Sequence, residues 1–385
     1  MSEQKPIALS SLRTHINELD TELRALFLER MEVSAEVAAY KRSVGMAVLD
    51  PVREQAVLDR LCEGLDAPHA EAVSSLWKQI FELSRACQHR LLNTDTCPQA
   101  AALRAQITAQ KPLPAKAKVA CQGRRGAYAH HAVDALFAEP DTHFFPDWAE
   151  VTEAVLDGRC DYGVLPIENS TRGSVSAVYD LLRSRQVHIV RSCRLPIRHA
   201  LLGLPGAELS DIREVRSHEQ AIGQCAGWLD LHPAITRTEA PNTAMAAEAV
   251  ALAGRRDLAA IASPDCAELY GLRVLVDDIT DCGFNYTRFV CIARDAQITP
   301  DANKLSLIVT LPHRAGSLSA LLGRFTARGL NLTKLESSPI PGRDFEFMFC
   351  IDLDAPDPAA LPGLLDDLCA QVESMTVLGL YHEEK

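Results

Sequence analysis

The chain has 385 residues, of which 47% are hydrophobic and 23% are charged, and its formal net charge at pH 7 is -12. This length suits two or three domains, and the composition excludes a largely disordered chain. The acidic balance argues against nucleic acid as the main partner, because phosphate backbones are bound by basic surfaces, but it leaves room for small anionic substrates.

Twelve cysteines are scattered along the chain without a Cys-x-x-Cys pair. This spacing disfavours a zinc site or a redox motif and predicts reduced, mostly buried thiols. The first residues lack the apolar core of a signal peptide, and no stretch approaches the ~20 apolar residues of a membrane span. We therefore predict a cytoplasmic protein that holds no metal and contacts no membrane.

The N-terminal part of the chain has the apolar spacing of a long helix. No Pro or Gly interrupts residues 8–44, and a helix of that length extends about 50 Å. One small domain cannot cover such a helix, so its apolar stripe needs a second long helix, most simply from another copy of the chain. Asp50 and Pro51 predict the start of a second helix, and a third is predicted over about 70–92. The stripe consists of Leu9, Leu12, Ile16, Leu19, Leu23 and Leu26.

The rest of the chain changes character twice. Residues 94–117 are rich in Thr, Gln, Ala, Pro and Lys, which predicts a linker that is semi-rigid at its prolines. Short apolar runs then alternate with helical patterns up to about residue 295, as in α/β domains. From residue 303 the predicted order is strand, helix, a two-stranded hairpin, helix and strand, the βαββαβ pattern of a ferredoxin-like domain.

Cationic and amide side chains recur on the three N-terminal helices. Arg30 and Lys41 are eleven residues apart, close to three helical turns, so they project in nearly the same direction. Arg13 lies seventeen residues before Arg30 and projects in another direction, where it could serve the site of an antiparallel partner. Ser84 and Gln88 are four residues apart and share a helix face. Taken singly, such residues are usually solvated charges or polar surface.

Taken together, these residues resemble the active site of the all-helical chorismate mutases that form intertwined dimers. The resemblance covers about residues 8–92. It implies that arginines hold the two carboxylates of chorismate, that the other protomer supplies Arg13, and that Lys41 and Gln88 donate to the ether oxygen. Glu54 would orient the ring hydroxyl, with Asp50 and Ser84 assisting. The implied site residues are Arg13, Arg30, Lys41, Asp50, Arg53, Glu54, Ser84 and Gln88.

The chemistry explains these residue types. Chorismate rearranges to prephenate without a proton transfer and without a nucleophile. An enzyme accelerates this step by holding the reacting ends in a near-attack geometry and by stabilising the charge that builds on the ether oxygen. Guanidinium groups suit the carboxylates because they bind them bidentately. Gln88 is neutral, so its donation needs no acidic pH.

Three motifs lie between residues 118 and 295. They are Pro-Ile-Glu-Asn-Ser-Thr at 166–171, Ser-His-Glu-Gln at 217–220 and Asn-Tyr-Thr-Arg-Phe at 285–289. The first motif alone could be an ordinary capped turn between a strand and a helix. Together the motifs resemble prephenate dehydratase, which implies two α/β lobes like a periplasmic binding protein, with the site in the cleft between them.

The resemblance also implies roles in the second reaction. Prephenate loses carbon dioxide and its ring hydroxyl together, and the hydroxyl needs a hydrogen-bond donor because it leaves poorly. Thr287 is that donor, polarised by its neighbours, and Arg288 polarises it or holds the substrate. His218 is a candidate general acid, with a structural hydrogen bond as the alternative, and Glu168 is alternatively a buried structural carboxylate. The implied substrate-binding residues are Glu168, Asn169, Ser170, Thr171, Ser217, Gln220, Thr243, Arg288 and Phe289.

Two loops depart from the dehydratase pattern. Residues 123–129 read Gly-Arg-Arg-Gly-Ala-Tyr-Ala, where the family has Gly-Pro-x-Gly followed by Thr or Ser, an aromatic residue and Ser. The proline and both hydroxyls are therefore absent from this loop. Glu219 stands where the family has a proline, and Gln220 after it is retained.

Residues 303–381 resemble an ACT domain, a ferredoxin-like module that binds amino acids at dimer interfaces. Gly-Ser-Leu at 316–318 and Glu-Ser-Ser-Pro at 336–339 stand where dehydratases carry Gly-Ala-Leu and Glu-Ser-Arg-Pro. The resemblance implies feedback inhibition by phenylalanine. Because the arginine of the second motif is missing, an altered ligand choice is an alternative, and a purely dimerising domain is another. The implied effector-binding residues are Gly316, Ser317, Leu318, Asn331, Leu332, Glu336 and Ser337.

The segments together predict a multidomain enzyme. An all-α chorismate mutase domain at 1–93 and a linker at 94–117 precede a two-lobed α/β dehydratase domain at 118–295 and an α+β ACT domain at 303–381. This order is similar to that of bifunctional chorismate mutase–prephenate dehydratases, which implies phenylpyruvate formation for L-phenylalanine synthesis, no cofactor, and a homodimer or higher homo-oligomer. A fusion to prephenate dehydrogenase is disfavoured because no Gly-x-Gly-x-x-Gly turn is present. A non-catalytic ligand-binding module would not need the motif at 285–289.

Overall fold

A computed structural model describes residues 9–46, 48–92, 97–281, 283–340, 342–344, 346–369 and 371–384. The chain divides into two compact units, each described by itself. The first contains Met1–Ala102, Leu311–Arg328 and Ala360–Ser374, and the second contains Leu103–Thr310, Gly329–Ala359 and Met375–Lys385. Within the described residues, no helix is long and apolar enough to cross a membrane.

The described residues contain thirteen α-helices, which are numbered in chain order. They are α1 (Leu9–Val44), α2 (Pro51–Cys62), α3 (Ala67–Leu92), α4 (Pro98–Thr108), α5 (Tyr128–Leu136), α6 (Trp148–Leu156), α7 (Ser176–Arg185), α8 (Glu219–Gln224), α9 (Ala226–Asp230), α10 (Thr243–Ala253), α11 (Asp265–Tyr270), α12 (Ser317–Ala327) and α13 (Leu361–Cys369).

The same part of the chain contains fifteen strands, numbered in the same way. They are β1 (Lys116–Gln122), β2 (Glu139–Phe145), β3 (Tyr162–Asn169), β4 (Gly173–Ser174), β5 (His188–Pro196), β6 (Ala200–Gly203), β7 (Glu214–Ser217), β8 (Thr236–Glu239), β9 (Leu258–Ala262), β10 (Arg273–Val276), β11 (Tyr286–Ala293), β12 (Lys304–Thr310), β13 (Leu332–Pro339), β14 (Phe347–Asp354) and β15 (Ser374–Glu384).

The long N-terminal helix and its two successors confirm the helical prediction. The carboxylate of Asp50 accepts a hydrogen bond from the Arg53 backbone N–H at 3.0 Å, and Pro51 begins α2, so the cap has the predicted chemistry. The apolar stripe of α1 is solvent-exposed in the single chain, with Leu12 and Leu26 at 45% and 63% exposure. A stripe of this kind on a 36-residue helix needs a covering surface.

The segment predicted to be a linker contains a helix, α4. Its sequence Pro-Gln-Ala-Ala-Ala-Leu-Arg-Ala-Gln-Ile-Thr begins with proline and is rich in alanine, and both features favour a helix. Ala100 and Leu103 on this helix are buried. The compositional signal for a linker was therefore wrong for residues 98–108, because alanine serves helices as well as linkers.

One pair of cysteines departs from the prediction of reduced thiols. Cys97 and Cys369 are joined by a disulfide across a sequence separation of 272 residues. The fold places their Cα atoms 6.4 Å apart, a proximity that scattered spacing cannot reveal. Nine other described cysteines are free, and most are buried; Cys282 lies outside the described residues.

The second unit contains two sheets. A five-stranded sheet has the order β10-β6-β9-β7-β8, and a ten-stranded sheet has the order β13-β14-β12-β15-β5-β11-β3-β1-β2 with β4 paired to β3. In the larger sheet β1 pairs in parallel with β2 and β3, while β11 runs antiparallel between β3 and β5. The five-stranded sheet and the part of the larger sheet formed by β1 to β5 and β11 correspond to the two α/β lobes that the resemblance implied.

The C-terminal strands continue the larger sheet. The order β12-α12-β13-β14-α13-β15 is the predicted βαββαβ pattern. β15 pairs in parallel with β5, so that His382 lies opposite Arg191. Just before this pairing, a Cβ atom on Gly379 would overlap the carbonyl oxygen of Ile189. Only glycine therefore allows the two backbones to approach each other this closely.

Candidate active sites

The first candidate site lies between α1 and α3. The Arg30 guanidinium donates to the Ser84 hydroxyl at 2.5 Å, and one turn further along, the Gln88 amide donates to the Ser34 hydroxyl at 3.2 Å. Ser84 and Gln88 are buried on one face of α3, as their spacing predicted. Burial lowers the pKa of Arg30, and the charge of Glu54 opposes this shift.

The other predicted residues of this site are placed around its ends. The Lys41 ammonium group is half-buried and donates to the Val48 carbonyl oxygen at 2.5 Å. Glu54 is paired with Arg85 of α3, a residue that the sequence argument missed because ion pairs across 31 positions leave no local pattern. Arg13 and Arg53 are exposed.

Arg13 is too far from Arg30 to share one small substrate within a single chain. Both residues lie on α1, and seventeen residues of helix span about 25 Å. Arg13 of the same chain therefore cannot contact a small molecule held at Arg30. The oxygen of the Gln88 amide is also buried without a partner among the described residues.

The second candidate site is centred on Asn169, the last residue of β3. Its amide nitrogen lies 3.0 Å from the Thr287 hydroxyl, 2.8 Å from the Asn285 side-chain oxygen and 3.2 Å from the Tyr286 carbonyl oxygen. Its oxygen accepts hydrogen bonds from the backbone and the hydroxyl of Thr171 at 3.0 and 2.7 Å. Through these hydrogen bonds, Asn169 connects the turn after β3 to the start of β11.

Ser170 strengthens the same contact. Its hydroxyl donates to the Phe284 carbonyl oxygen at 3.0 Å and accepts from the Tyr286 backbone N–H at 2.9 Å. Asn285, which the sequence argument quoted only as part of a motif, is 3% exposed, and its amide nitrogen has no partner among the described residues. Because unpaired buried donors are costly, this nitrogen is a candidate contact for a bound ligand.

The second lobe contributes residues at the carboxyl ends of β7 and β8, where open α/β sheets bind ligands. Ser217 ends β7, but its hydroxyl donates to the Ile261 carbonyl oxygen at 2.5 Å and is fully buried. The ring nitrogen of His218 accepts from the Gln220 backbone N–H at 3.2 Å and caps α8. This contact is the structural alternative that the sequence left open for His218. Thr243 begins α10.

The two lobes approach each other at the loop that departs from the family pattern. Gly123 has φ of 100°, and a Cβ atom there would lie 3.8 Å from the side-chain nitrogen of Asn242. Asn242 caps α10 by accepting from the Met245 backbone N–H at 2.8 Å. The positive φ favours glycine at this position, and the first lobe lies close to the start of α10, next to Thr243.

Three predicted substrate-binding residues contact protein groups. Phe289 is 3% exposed and packs in the apolar core of the first lobe. Arg288 is 5% exposed, and its guanidinium contacts Asp352 at 2.5 Å, the Tyr381 hydroxyl at 2.5 Å and Glu383 at 2.6 Å. Glu168 lies 3.7 Å from Arg288. Successive residues of a strand point to opposite faces, so Arg288 points away from the Thr287 side.

The charges around Arg288 are balanced. Lys304 is 2.6 Å from Glu383, so two buried cations face the carboxylates of Asp352 and Glu383. Burial alone would lower the pKa of Arg288, but the acidic neighbours outweigh it and raise the pKa. Burial would likewise raise the pKa of Glu383, and the charges of Arg288 and Lys304 hold it below its usual value. Arg288 and Glu383 are therefore ionised at neutral pH.

The residues predicted to bind an amino-acid effector fall in both units. In the first unit, Gly316 has φ of 87° and precedes α12, which begins with Ser317 and Leu318. In the second unit, the Asn331 amide donates to Asp354 at 2.8 Å, just before Leu332 begins β13. The Glu336 carboxylate accepts from the Ser174 hydroxyl and lies 3.2 Å from Lys334, and Ser337 is exposed.

Comparison with known families matches three segments of the chain. Residues 12–89 match the family described as chorismate mutase type II, residues 119–297 match prephenate dehydratase, and residues 305–369 match the ACT domain. Over 395 aligned residues the chain is 34% identical to the bifunctional chorismate mutase/prephenate dehydratase of Escherichia coli (strain K12), with 100% of this chain and 98% of that protein covered.

The chain belongs to the bifunctional chorismate mutase/prephenate dehydratases.

Two solved structures are each similar to 69% of the chain. A prephenate dehydratase from Arthrobacter aurescens in complex with L-Phe is 30% identical with a TM-score of 0.61, covering 69% of this chain and 90% of that one. A protein described as a novel type of quorum quenching acylase, GqqA, is also 30% identical, with a TM-score of 0.62, and covers 69% of this chain and 98% of that one.

Membership of the bifunctional chorismate mutase/prephenate dehydratases confirms the predicted fold class and both predicted activities. The chain rearranges chorismate to prephenate and converts prephenate to phenylpyruvate in phenylalanine biosynthesis. The ACT match and the phenylalanine-bound relative support small-molecule ligands. The roles of individual residues remain predictions.

Proposed function

We propose that the dehydratase reaction takes place beside the Asn169–Thr287 hydrogen bond. Asn169 donates to the Thr287 hydroxyl at 3.0 Å, which leaves the hydroxyl hydrogen free to donate to the leaving hydroxyl of prephenate. This hydrogen bond is the observation that carries the proposal. Ser170, Thr171, Gln220 and Thr243 bind the pyruvyl end, while Ser217 supports the loop through its bond to the backbone.

The mutase reaction takes place between α1 and α3. Arg30 and Arg53 hold carboxylates, Lys41 and Gln88 donate to the ether oxygen, and Glu54 orients the ring hydroxyl. Arg13 reaches this site from a second chain, since it is about 25 Å along the helix from Arg30 in its own chain. The exposed apolar stripe of α1 supports the same antiparallel pairing of two chains.

A mixing experiment tests the shared mutase site. Arg13→Ala and Lys41→Ala chains are each expected to be inactive as mutases, because each lacks a residue of every site in its own homodimer. Unfolding and refolding the two chains together in equal amounts is expected to restore about a quarter of the wild-type mutase rate, since half of the dimers then contain one intact site of two.

The control for mixing is the Lys41→Ala chain refolded with a Gln88→Ala chain. In the proposed arrangement both residues serve the site with the Arg30 of their own chain, so this mixture stays inactive. Recovery in the control, or no recovery with Arg13→Ala while the refolded chains remain dimeric by sedimentation, contradicts the assignment of Arg13 to the partner.

The ACT segment binds phenylalanine as a feedback inhibitor. The support is the family match over residues 305–369 and the relative solved in complex with L-Phe. Ser338 stands where dehydratases carry an arginine, so the affinity rests on the Gly-Ser-Leu turn, on Asn331 and on Glu336. A cytoplasmic location remains the prediction made from the sequence.

Calorimetric titration tests the effector. Phenylalanine is expected to give a saturable heat of binding and to lower the dehydratase rate, and tyrosine is expected to bind more weakly because its hydroxyl must be desolvated in an apolar pocket. Alanine, which has the same charged ends without the ring, serves as the matched ligand control. Absence of heat with both aromatic amino acids contradicts any sensor role.

A further inference from the structure

The candidate dehydratase site has a second, ionised side. Between β3 and β11, Asn169 lies opposite Thr287 and Glu168 lies opposite Arg288. The first pair is joined by the 3.0 Å hydrogen bond of the proposed site, and the second pair by an ion contact of 3.7 Å. Because neighbouring strand residues point to opposite faces, the two pairs lie on opposite faces of the sheet. The Asn169–Thr287 pair is called the front pair, and the Glu168–Arg288 pair is called the back pair.

The back pair is held by residues of the regulatory strands. The Lys334 ammonium group of β13 lies 3.0 Å from the Glu168 carboxylate, and it also bonds the Ser174 hydroxyl of β4. The Lys334 side chain is only 8% exposed. Asp352 of β14 and Glu383 of β15 hold Arg288.

These contacts resist displacement. The Lys334 ammonium group and the Arg288 guanidinium are buried, whereas the Glu168 side chain is 34% exposed. A buried charge that loses its partner is strongly destabilised, so a displacement of Lys334 or Arg288 is expected to move the Glu168 carboxylate with it. Glu168 is covalently next to Asn169, and Ser174 lies opposite Glu168 across β3 and β4. A shift of β13 therefore moves the turn that bonds Thr287, and misplacement by about 1 Å is enough to slow a reaction markedly.

We propose that Lys334 is a positioning residue of the dehydratase, which acts through Glu168 to set the Asn169–Thr287 pair. Strand β13 of the ACT segment thereby takes part in aligning Thr287, the proposed hydrogen-bond donor. Lys334 also lies 3.2 Å from Glu336, within the predicted effector motif, so a ligand that engages Glu336 alters the same contact. The proposal rests on the assignment of Thr287 to the dehydratase site.

Kinetics of the full-length chain test the proposal. Lys334→Met keeps the length of the side chain and removes its charge. It is expected to lower the dehydratase kcat about 10-fold, with KM changed less than about 2-fold, because alignment rather than substrate affinity is lost. Lys334→Arg keeps the positive charge and is expected to retain most of the turnover. The mutase rate of the same preparation serves as an internal control and is expected to stay unchanged.

A double-mutant cycle with Glu168→Gln separates positioning from general support of the fold. If Lys334 acts through Glu168, adding Lys334→Met to the Glu168→Gln chain lowers kcat far less than 10-fold, because the contact is already lost. A wild-type kcat in Lys334→Met, an equal loss in both backgrounds, a loss confined to KM, or a parallel loss of mutase activity overturns the proposal.

The same assay distinguishes failure of the positioning proposal from failure of the site. An inactive Thr287→Ala chain beside a fully active Lys334→Met chain rejects only the role of Lys334. An active Thr287→Ala chain rejects the site itself.

Discussion

Replacing Thr287 with alanine is expected to lower the dehydratase kcat by about 10²- to 10⁴-fold, the usual contribution of a positioned group that assists the departure of a leaving group. The hydroxyl accepts a hydrogen bond from Asn169 and keeps its own hydrogen for the hydroxyl that leaves prephenate. The measurement is phenylpyruvate formation from prephenate, followed by its absorbance in alkali. Mutase activity is expected to be unchanged, since Thr287 and the mutase residues belong to different compact units.

Thr287→Ser is the matched variant because it keeps the hydroxyl and removes only a methyl group. It is expected to retain a substantial part of the dehydratase rate. Two results would count against the role of Thr287 as hydrogen-bond donor. One is a Thr287→Ser chain as inactive as the Thr287→Ala chain, and the other is an equal loss of dehydratase and mutase activity in Thr287→Ala.

Replacing Lys41 with alanine is expected to lower the mutase kcat by about 10²- to 10³-fold, the effect of removing one donor aimed at a developing negative charge. The ammonium group is held near the start of α2 by its bond to the Val48 carbonyl oxygen, so little reorganisation is needed when the C–O bond breaks. Chorismate consumption measures the loss, and the dehydratase rate with added prephenate is expected to be normal.

Lys78→Ala is the matched control for Lys41→Ala. Lys78 is an exposed lysine of α3, and its removal takes away the same charge from the same unit. Sedimentation of both variants establishes that the assembly is unchanged. A near-normal mutase rate in a Lys41→Ala chain would falsify the assignment of the ether-oxygen donor.

Local patterns predicted the three N-terminal helices well. The spacing of Leu12 and Leu26 marked α1, Asp50 and Pro51 marked the start of α2, and the four-residue interval placed Ser84 and Gln88 on one face of α3. The structure adds that this face contacts α1. Each of these signals acts within a few helical turns, where geometry is fixed by the helix itself.

Reasoning from local patterns could not predict contacts between residues that are far apart in the sequence. The sequence argument made Thr287 the hydrogen-bond donor and left Arg288 either to polarise it or to hold the substrate. The structure pairs Arg288 with Asp352, 64 residues away, and with Tyr381, 93 residues away. Such partners depend on which strands the sheet brings together, and a hydrophobic pattern does not encode their order. The same limit applies to the bond between Cys97 and Cys369.

The pairing of β15 with the dehydratase strand β5 requires glycine at position 379, whose side chain is a single hydrogen atom. Any side chain on Gly379 would collide with the carbonyl oxygen of Ile189, so β15 could no longer lie along β5 at its present distance. A glycine codon becomes an alanine codon by one base change. A single base change at this codon is therefore expected to disturb the pairing of β15 with β5 and, with it, the position of Glu383 beside Arg288.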